Sequence, residues 1–193
     1  MKQFKTRGIS TDRPQANNGV SIEAISGPGE ATKATAEAAR LTWRANCEWI
    51  NGVHSRSTIS GFSGFGRDQE RGKKFIVEAD YPKVFGAKDQ APSPVELVLS
   101  ALASCLTAGV AIIAQQRNIQ LTYMEAIVEG DMEGPLGINP EIRNGFSAIR
   151  VSFVIDAASA TIDELKALVA QSEKRSAVLD IISNPTIVTV EVK

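Results

Sequence analysis

The sequence predicts an α+β fold, a single domain in which an antiparallel sheet surrounds a long buried central helix. Three observations carry this. A capping box at Ser93-Pro94-Val95-Glu96 opens a run from Leu97 to Ala114 that contains no charged residue. Period-two alternation of apolar residues marks strands on both sides of that run. Helices and strands do not follow a regular βαβ order, which favours segregated elements over a doubly wound parallel sheet.

Composition sets the class. A chain of 193 residues with 43% hydrophobic content is long enough to bury its own core. Formal net charge is −1, so the chain lacks the basic surplus that nucleic acid or an anionic membrane surface requires. Lys2 and Lys5 are followed by a polar stretch, residues 9–18, where a signal peptide would carry its apolar region. The expected location is therefore the cytoplasm. Two cysteines, Cys47 and Cys105, and one histidine, His54, make neither a disulfide framework nor a metal cluster. No metal and no cofactor are expected.

The first 39 residues form an arm without a core pattern, and the Ala-rich stretch 31–39 is compatible with a short helix or with extended chain. The patterned domain spans 40–193. Leu41, Trp43, Ala45, Cys47 and Trp49 alternate with polar residues and predict one half-buried strand. Asn51-Gly52 is a hairpin signal, with the return strand in residues 53–62. Gly61, Gly64 and Gly66 lack the spacing of a phosphate-binding loop and are expected to be plain turn residues before a charged loop, 67–74. A further strand is expected at 75–79.

Ser93 at N-cap, Pro94 at the first helical position and Glu96 at the third start a helix that should reach about Arg117. Without charges over eighteen positions it is expected to be buried nearly all round. Such a length also meets the minimum for a membrane span. Ser100, Ser104, Cys105, Thr107 and Gly109 dilute its apolar character, and the flanking patterns are those of a soluble sheet, so no membrane partner is expected.

Met124, Ala126, Val128 and Met132, then Ile149, Val151, Phe153 and Ile155, mark one face of each of two more strands, with a loop at 134–145 between them. A second capping box, Thr161-Ile162-Asp163-Glu164, opens a helix to about Lys174. Ser176 caps a short helix to about Ile182, Asn184-Pro185 ends it, and 187–192 reads as a terminal strand.

Two stretches carry a resemblance. The first, Ala91-Pro92-Ser93-Pro94-Val95-Glu96-Leu97-Val98-Leu99-Ser100-Ala101-Leu102-Ala103-Ser104-Cys105, is similar to the P-x-E-L-L-x-A-A-x-A-x-C helix of the OsmC/Ohr family. The second, Glu173-Lys174-Arg175-Ser176-Ala177-Val178, resembles the segment where that family usually has Cys-Pro-Val. The resemblance covers residues 40–193. It implies an OsmC-like fold, an intertwined homodimer and thiol-dependent reduction of a small hydroperoxide. In those terms Cys105 matches the peroxide-reacting thiol and Glu96 its assisting glutamate. Lys83 lies near where some members place an activating arginine, with Arg56 and Arg67 as positional candidates. Ser176 stands where the resolving cysteine would be, so an external thiol reductant would have to close the cycle.

Elementary geometry constrains these assignments. Cys105 sits eleven residues into the helix, roughly 17 Å from its start, beyond the reach of the N-terminal dipole. Burial among apolar residues raises a thiol's pKa and a nearby cation lowers it, so an activating cation must come from outside the helix. Glu96 and Cys105, nine positions apart, point to opposite sides of a straight helix some 13 Å apart along its axis. One site containing both requires an irregular first turn or a second chain. Each residue also has a plainer role: Cys105 and Cys47 as small core side chains, Glu96 and Ser176 as caps, Lys83, Arg56, Arg67 and His54 as surface groups. Three functions follow in order: a hydroperoxide reductase, a redox-inactive dimer that binds a small apolar ligand or regulates, and a thioesterase, which lacks a base.

Overall fold

The structure, a computed structural model, describes residues 14–26, 40–134 and 141–192. The Gly27-Pro28-Gly29 turn, the Ala-rich stretch 31–39 and part of the 134–145 loop lie outside the described residues. The chain forms two compact units, one of the described residues up to Val20 together with those from Leu102 onward, the other Ser21–Ala101. Residues 22–26 are helical, with the Ser21 hydroxyl accepting from the Ala24 amide.

In the Ser21–Ala101 unit the strands are β1 (Thr42–Trp43), β2 (Asn46–Asn51), β3 (His54–Ile59), β4 (Phe62–Gly64), β5 (Arg67–Gln69) and β6 (Phe75–Ala79). They make two antiparallel sheets, ordered β1-β4-β5 and β2-β3-β6. The expected hairpin turns at Asn51-Gly52, where Gly52 takes φ +59°. Of the three glycines expected in a turn only Gly66 lies in one, while Gly64 ends β4; Phe65 (φ 56°) and Gly66 (φ 75°) are both left-handed, the two-residue geometry that matches strand twist.

Three expectations are corrected here. The strand predicted from Leu41 to Trp49 breaks at Arg44-Ala45, because its halves pair with different sheets. The charged loop contains β5. The apolar face of the first strands is not half-buried: Trp43 is 60% and Trp49 74% exposed, and Cys47 is exposed as well. The physical reason is topological, since β1 and β2 are both edge strands. Trp43 instead stacks on Phe62 (centroids 4.3 Å) beneath the Arg71 guanidinium, and the Trp49 indole donates to the Gly52 carbonyl at 2.9 Å.

After β6 the buried Asp80 carboxylate accepts from the Tyr81 and Gln90 amides at 2.9 and 3.0 Å, tying both ends of the loop that carries the short 3₁₀ turn Lys83–Phe85. The Gln90 amide first, then burial opposing it and the Tyr81 amide, leave that carboxyl below the usual aspartate range.

The long helix α1 spans Pro94–Gln116. It starts and ends where the sequence predicts. It is not buried all round: its buried residues are Leu102, Leu106, Val110, Ile113 and Ala114, a stripe at three- and four-residue spacing. By length and composition α1 is long and apolar enough to cross a membrane; its buried stripe packs against a sheet and a second helix, and 28% of its apolar window is buried.

In the other unit β7 (Leu121–Asp131) and β8 (Ala148–Ala157) pair antiparallel, followed by α2 (Ile162–Glu173) and α3 (Ala177–Ser183). Val110, Ile113, Ala114, Ile119, Leu165 and Leu168 form the core, with Met124, Phe153 and Ile155 packed on it. Both hydroxyl caps predicted here exist. Thr161 and Glu164 complete a reciprocal capping box, and Ser176 accepts from Leu179.

Two features of this unit depart from the sequence reading. Residues 16–18, read as an unpatterned arm, clamp the end of α1. Ala16 is buried, the Asn18 side-chain amide donates to the Ile119 carbonyl at 2.8 Å, and its oxygen accepts from the Leu121 amide at 2.9 Å. The terminal strand, by contrast, does not form: residues 185–192 run outside any β-strand of the described residues, and Ile187 and Val190 are 95% and 91% exposed. An alternating segment becomes a strand only where an edge is offered to it.

Candidate functional site

Cys105 lies at the middle of α1, one residue before the buried Leu106 and so at the margin of the core stripe. Its thiol is half-buried. The helix that faces it is α2, and the two approach closely because residue 109 is glycine. A Cβ there would fall 2.2 Å from the Ser172 hydroxyl and 3.1 Å from its Cβ. Ser172, almost fully buried, donates to the Leu106 carbonyl at 2.7 Å and bolts α2 to α1.

That approach brings Ser176, three residues past the end of α2 and the N-cap of α3, to the thiol. The Ser176 hydroxyl donates to Cys105 Sγ at 3.1 Å. Its geometry follows from the cap. The oxygen already accepts from the Leu179 amide at 3.1 Å, so its one proton is free to turn toward sulfur. Capping and thiol contact are thus two uses of one hydroxyl, and the residue is 93% buried in making them.

A cavity of about 260 Å³ opens beside the pair, walled by Cys105, Ala108, Gly109, Ile112, Arg175 and Ser176. Ile113 and Ser172 complete its lining. The wall is aliphatic except for Cys105, the two serines and Arg175. Among the described residues no group of three or more His, Cys, Asp or Glu side chains is placed to hold a metal ion.

The remaining sequence-predicted site residues belong to the Ser21–Ala101 unit. The Glu96 carboxylate accepts from the Ser93 hydroxyl at 2.6 Å and the Ser93 amide at 2.7 Å, and these bonds hold it below the usual glutamate range. Arg56 Nε donates to Glu78 Oε1 at 2.7 Å across the β3–β6 register, and Glu78 also meets His54 Nε2 at 3.2 Å. Arg67 and Lys83 are exposed. The second cysteine, Cys47, faces Ser57 across the hairpin, and hydrogen bonds with Ser57 and then Ser55 hold its thiol below its usual range. Ser172, Gly109, Ile112 and Arg175 were not singled out in the sequence. A glycine inside an otherwise strong helix former was the available signal for the first two.

The OsmC-like protein family model matches residues 87–191, which include the whole of α1, both long strands and the Cys105–Ser176 pair. This chain belongs to the OsmC-like family. Solved structures agree on the fold. An OsmC-like protein from Mycoplasma pneumoniae is similar at TM-score 0.55 and 16% identity, over 74% of this chain and 87% of that one. A putative osmotic stress induced and detoxification response protein from Psychrobacter arcticus is similar at 0.52 and 17%, over 70% and 85%. No curated protein matches this OsmC-like chain by sequence.

Proposed function

We propose that this OsmC-like protein reduces small organic hydroperoxides with Cys105 alone and that an external thiol closes the cycle. The observation that carries the proposal is the 3.1 Å contact between the Ser176 hydroxyl and Cys105 Sγ beside an aliphatic cavity. In the first step the Cys105 thiolate attacks the distal oxygen of ROOH and the O–O bond breaks. The alkoxide leaves and takes a proton to become ROH, and the sulfur is oxidised to a sulfenic acid. A hydroxyl has no sulfur with which to close a disulfide, so Ser176 serves as a hydrogen-bond donor to the reacting atom, and the cavity stays open for an incoming thiol. That thiol attacks the sulfenic sulfur with loss of water, giving a mixed disulfide, and a second thiol releases Cys105.

The proposal includes a homodimer. Its support is the apolar surface one chain leaves uncovered: the alternating 187–192 segment and the edge-strand tryptophans. In such a dimer Glu96 of a second copy is the group proposed to assist Cys105, and Lys83, Arg56 and Arg67 remain the candidate cations. We place the reaction in the cytoplasm, where reducing thiols are abundant.

The test is turnover. Wild-type protein with a small dithiol should consume tert-butyl hydroperoxide catalytically, and Cys105→Ser should not, while light scattering reports a dimer for both. A wild-type protein without turnover, or a Cys105→Ser protein that retains it, would overturn the proposal.

A further inference from the structure

We infer that the Ser21–Ala101 unit carries a binding site of its own, for a small molecule with a phosphate chain, and that Arg71 is its anchor. The site shares no residue with the Cys105 cavity and does not depend on the reaction proposed above.

A cavity of about 450 Å³ lies wholly within this unit. Arg44, Arg71, Lys73 and Lys74 line it together with Asp68 and Glu70, so four positive charges stand against two negative ones. The surplus is local, because the whole chain has a net charge of −1. Asp68 is also engaged at the strands: it accepts from the Ser63 hydroxyl and lies 4.0 Å from Arg44, which itself donates to Ser63 at 2.7 Å. The side chains of Arg71, Lys73 and Lys74, by contrast, make no hydrogen bond or ion pair with any described residue.

Two of these three cations are nonetheless held in place. The Arg71 guanidinium carbon lies 5.7, 5.6 and 5.5 Å from the ring centroids of Trp43, Phe62 and Phe75, and Lys73 Nζ lies 4.9 Å from that of Phe75. Aromatic rings position a cation without spending its N–H donors. Arg71 is therefore a positioned guanidinium with donors to offer, and part of the ordering cost of binding is met before a ligand arrives.

Three such cations favour an anion whose charge is spread over several oxygens. A guanidinium takes two oxygens as a planar fork and each ammonium takes another as a point charge, which a phosphate chain supplies and a single carboxylate does not. The volume falls within the roughly 300–1,000 Å³ of small-molecule sites. The glycines of this stretch lack the spacing of a phosphate-binding loop, so side chains make the site. Gly61 contributes bare backbone to the lining, since a Cβ there would fall 2.7 Å from the Gln69 carbonyl oxygen. Nucleic acid and anionic membranes draw on an extended basic surface, which a chain of net charge −1 does not offer.

Calorimetric titration of the full chain with inorganic pyrophosphate at low ionic strength tests the inference. Pyrophosphate should bind about tenfold more tightly than orthophosphate. Arg71→Gln should weaken it about tenfold, the size of one lost charge-assisted pair, and Arg71→Lys should restore little, because it keeps the charge and loses the fork. Lys73→Gln combined with Lys74→Gln, both exposed, should weaken it by a similar factor. Lys88→Gln, which removes a cation that lines a different cavity of the same unit, should leave it unchanged. No binding of pyrophosphate, equal binding of orthophosphate, or binding indifferent to Arg71→Gln would overturn the inference. So would a loss with Lys88→Gln as large as that with Arg71→Gln, which would make the attraction a diffuse one. A single-stranded oligonucleotide or phosphatidylglycerol vesicles bound more tightly per phosphate than pyrophosphate would overturn it too, in favour of a polymer or a membrane surface.

Discussion

Ser176→Cys turns the observed contact into a covalent question. The Ser176 oxygen lies 3.1 Å from Cys105 Sγ, whereas a disulfide needs about 2.05 Å. The longer C–S bond of cysteine supplies part of that approach, and a small χ1 adjustment supplies the rest. The cross-link would join residues 71 positions apart, and the chain-entropy model assigns such a loop about 4 kcal/mol of stabilisation. Loss of the hydroxyl that caps α3 through the Leu179 amide offsets about 1 kcal/mol of this. A net gain of about 3 kcal/mol raises the melting temperature of a domain this size by roughly 6–12 °C. Thermal melts of the oxidised and reduced variant measure the gain, and thiol titration measures the bond. With the two native thiols, the variant should show three thiols reduced and one, that of Cys47, oxidised. Three thiols after oxidation, or an oxidised form less stable than the reduced one, would refute the placement of Ser176 on Cys105.

Further outcomes follow from packing and linkage. Gly109→Ala should lower stability by about 1–3 kcal/mol in denaturant melts, because its Cβ meets the Ser172 side chain, which is itself fixed by Leu106. Asn18→Ala should cost about 1–3 kcal/mol, since it strips partners from the Ile119 carbonyl and the Leu121 amide at the end of α1. Asp80 has a folded pKa depressed by the Gln90 and Tyr81 amides, so the stability it contributes is present above the unfolded aspartate value, about 4, and is lost as pH falls through the folded value. Wild-type melting temperature should therefore drop on acidification below about pH 4. Asp80→Asn should be less stable at pH 6 and show a shallower drop.

What the sequence made legible was local. Thr161-Glu164, Ser93-Glu96 and Ser176 announced three helix starts because capping is settled within four residues, and Asn51-Gly52 announced its hairpin for the same reason. What it concealed was set by distant partners. The 16–18 clamp joins residues about a hundred positions apart, and nothing in Ala16-Asn17-Asn18 specifies Ile119 or Leu121. Alternation in 41–49 and 187–192 reads as burial or pairing, and the structure leaves Trp43, Trp49, Ile187 and Val190 exposed instead. The site divides likewise. Cys105 and Ser176 were found through the family pattern, while Arg175 and Ser172 became visible only once α2 lay against α1.

The central claim is that Cys105 reacts with hydroperoxide as a lone thiol, and its most direct test is stoichiometric. In Cys47→Ser protein, which removes the exposed thiol of β2, one equivalent of organic hydroperoxide should add one oxygen atom to the chain. The oxygen should map to Cys105, be captured by a sulfenic-acid trap, and be absent in the Cys47→Ser/Cys105→Ser protein. An unmodified Cys105 after exposure to excess hydroperoxide would contradict the account.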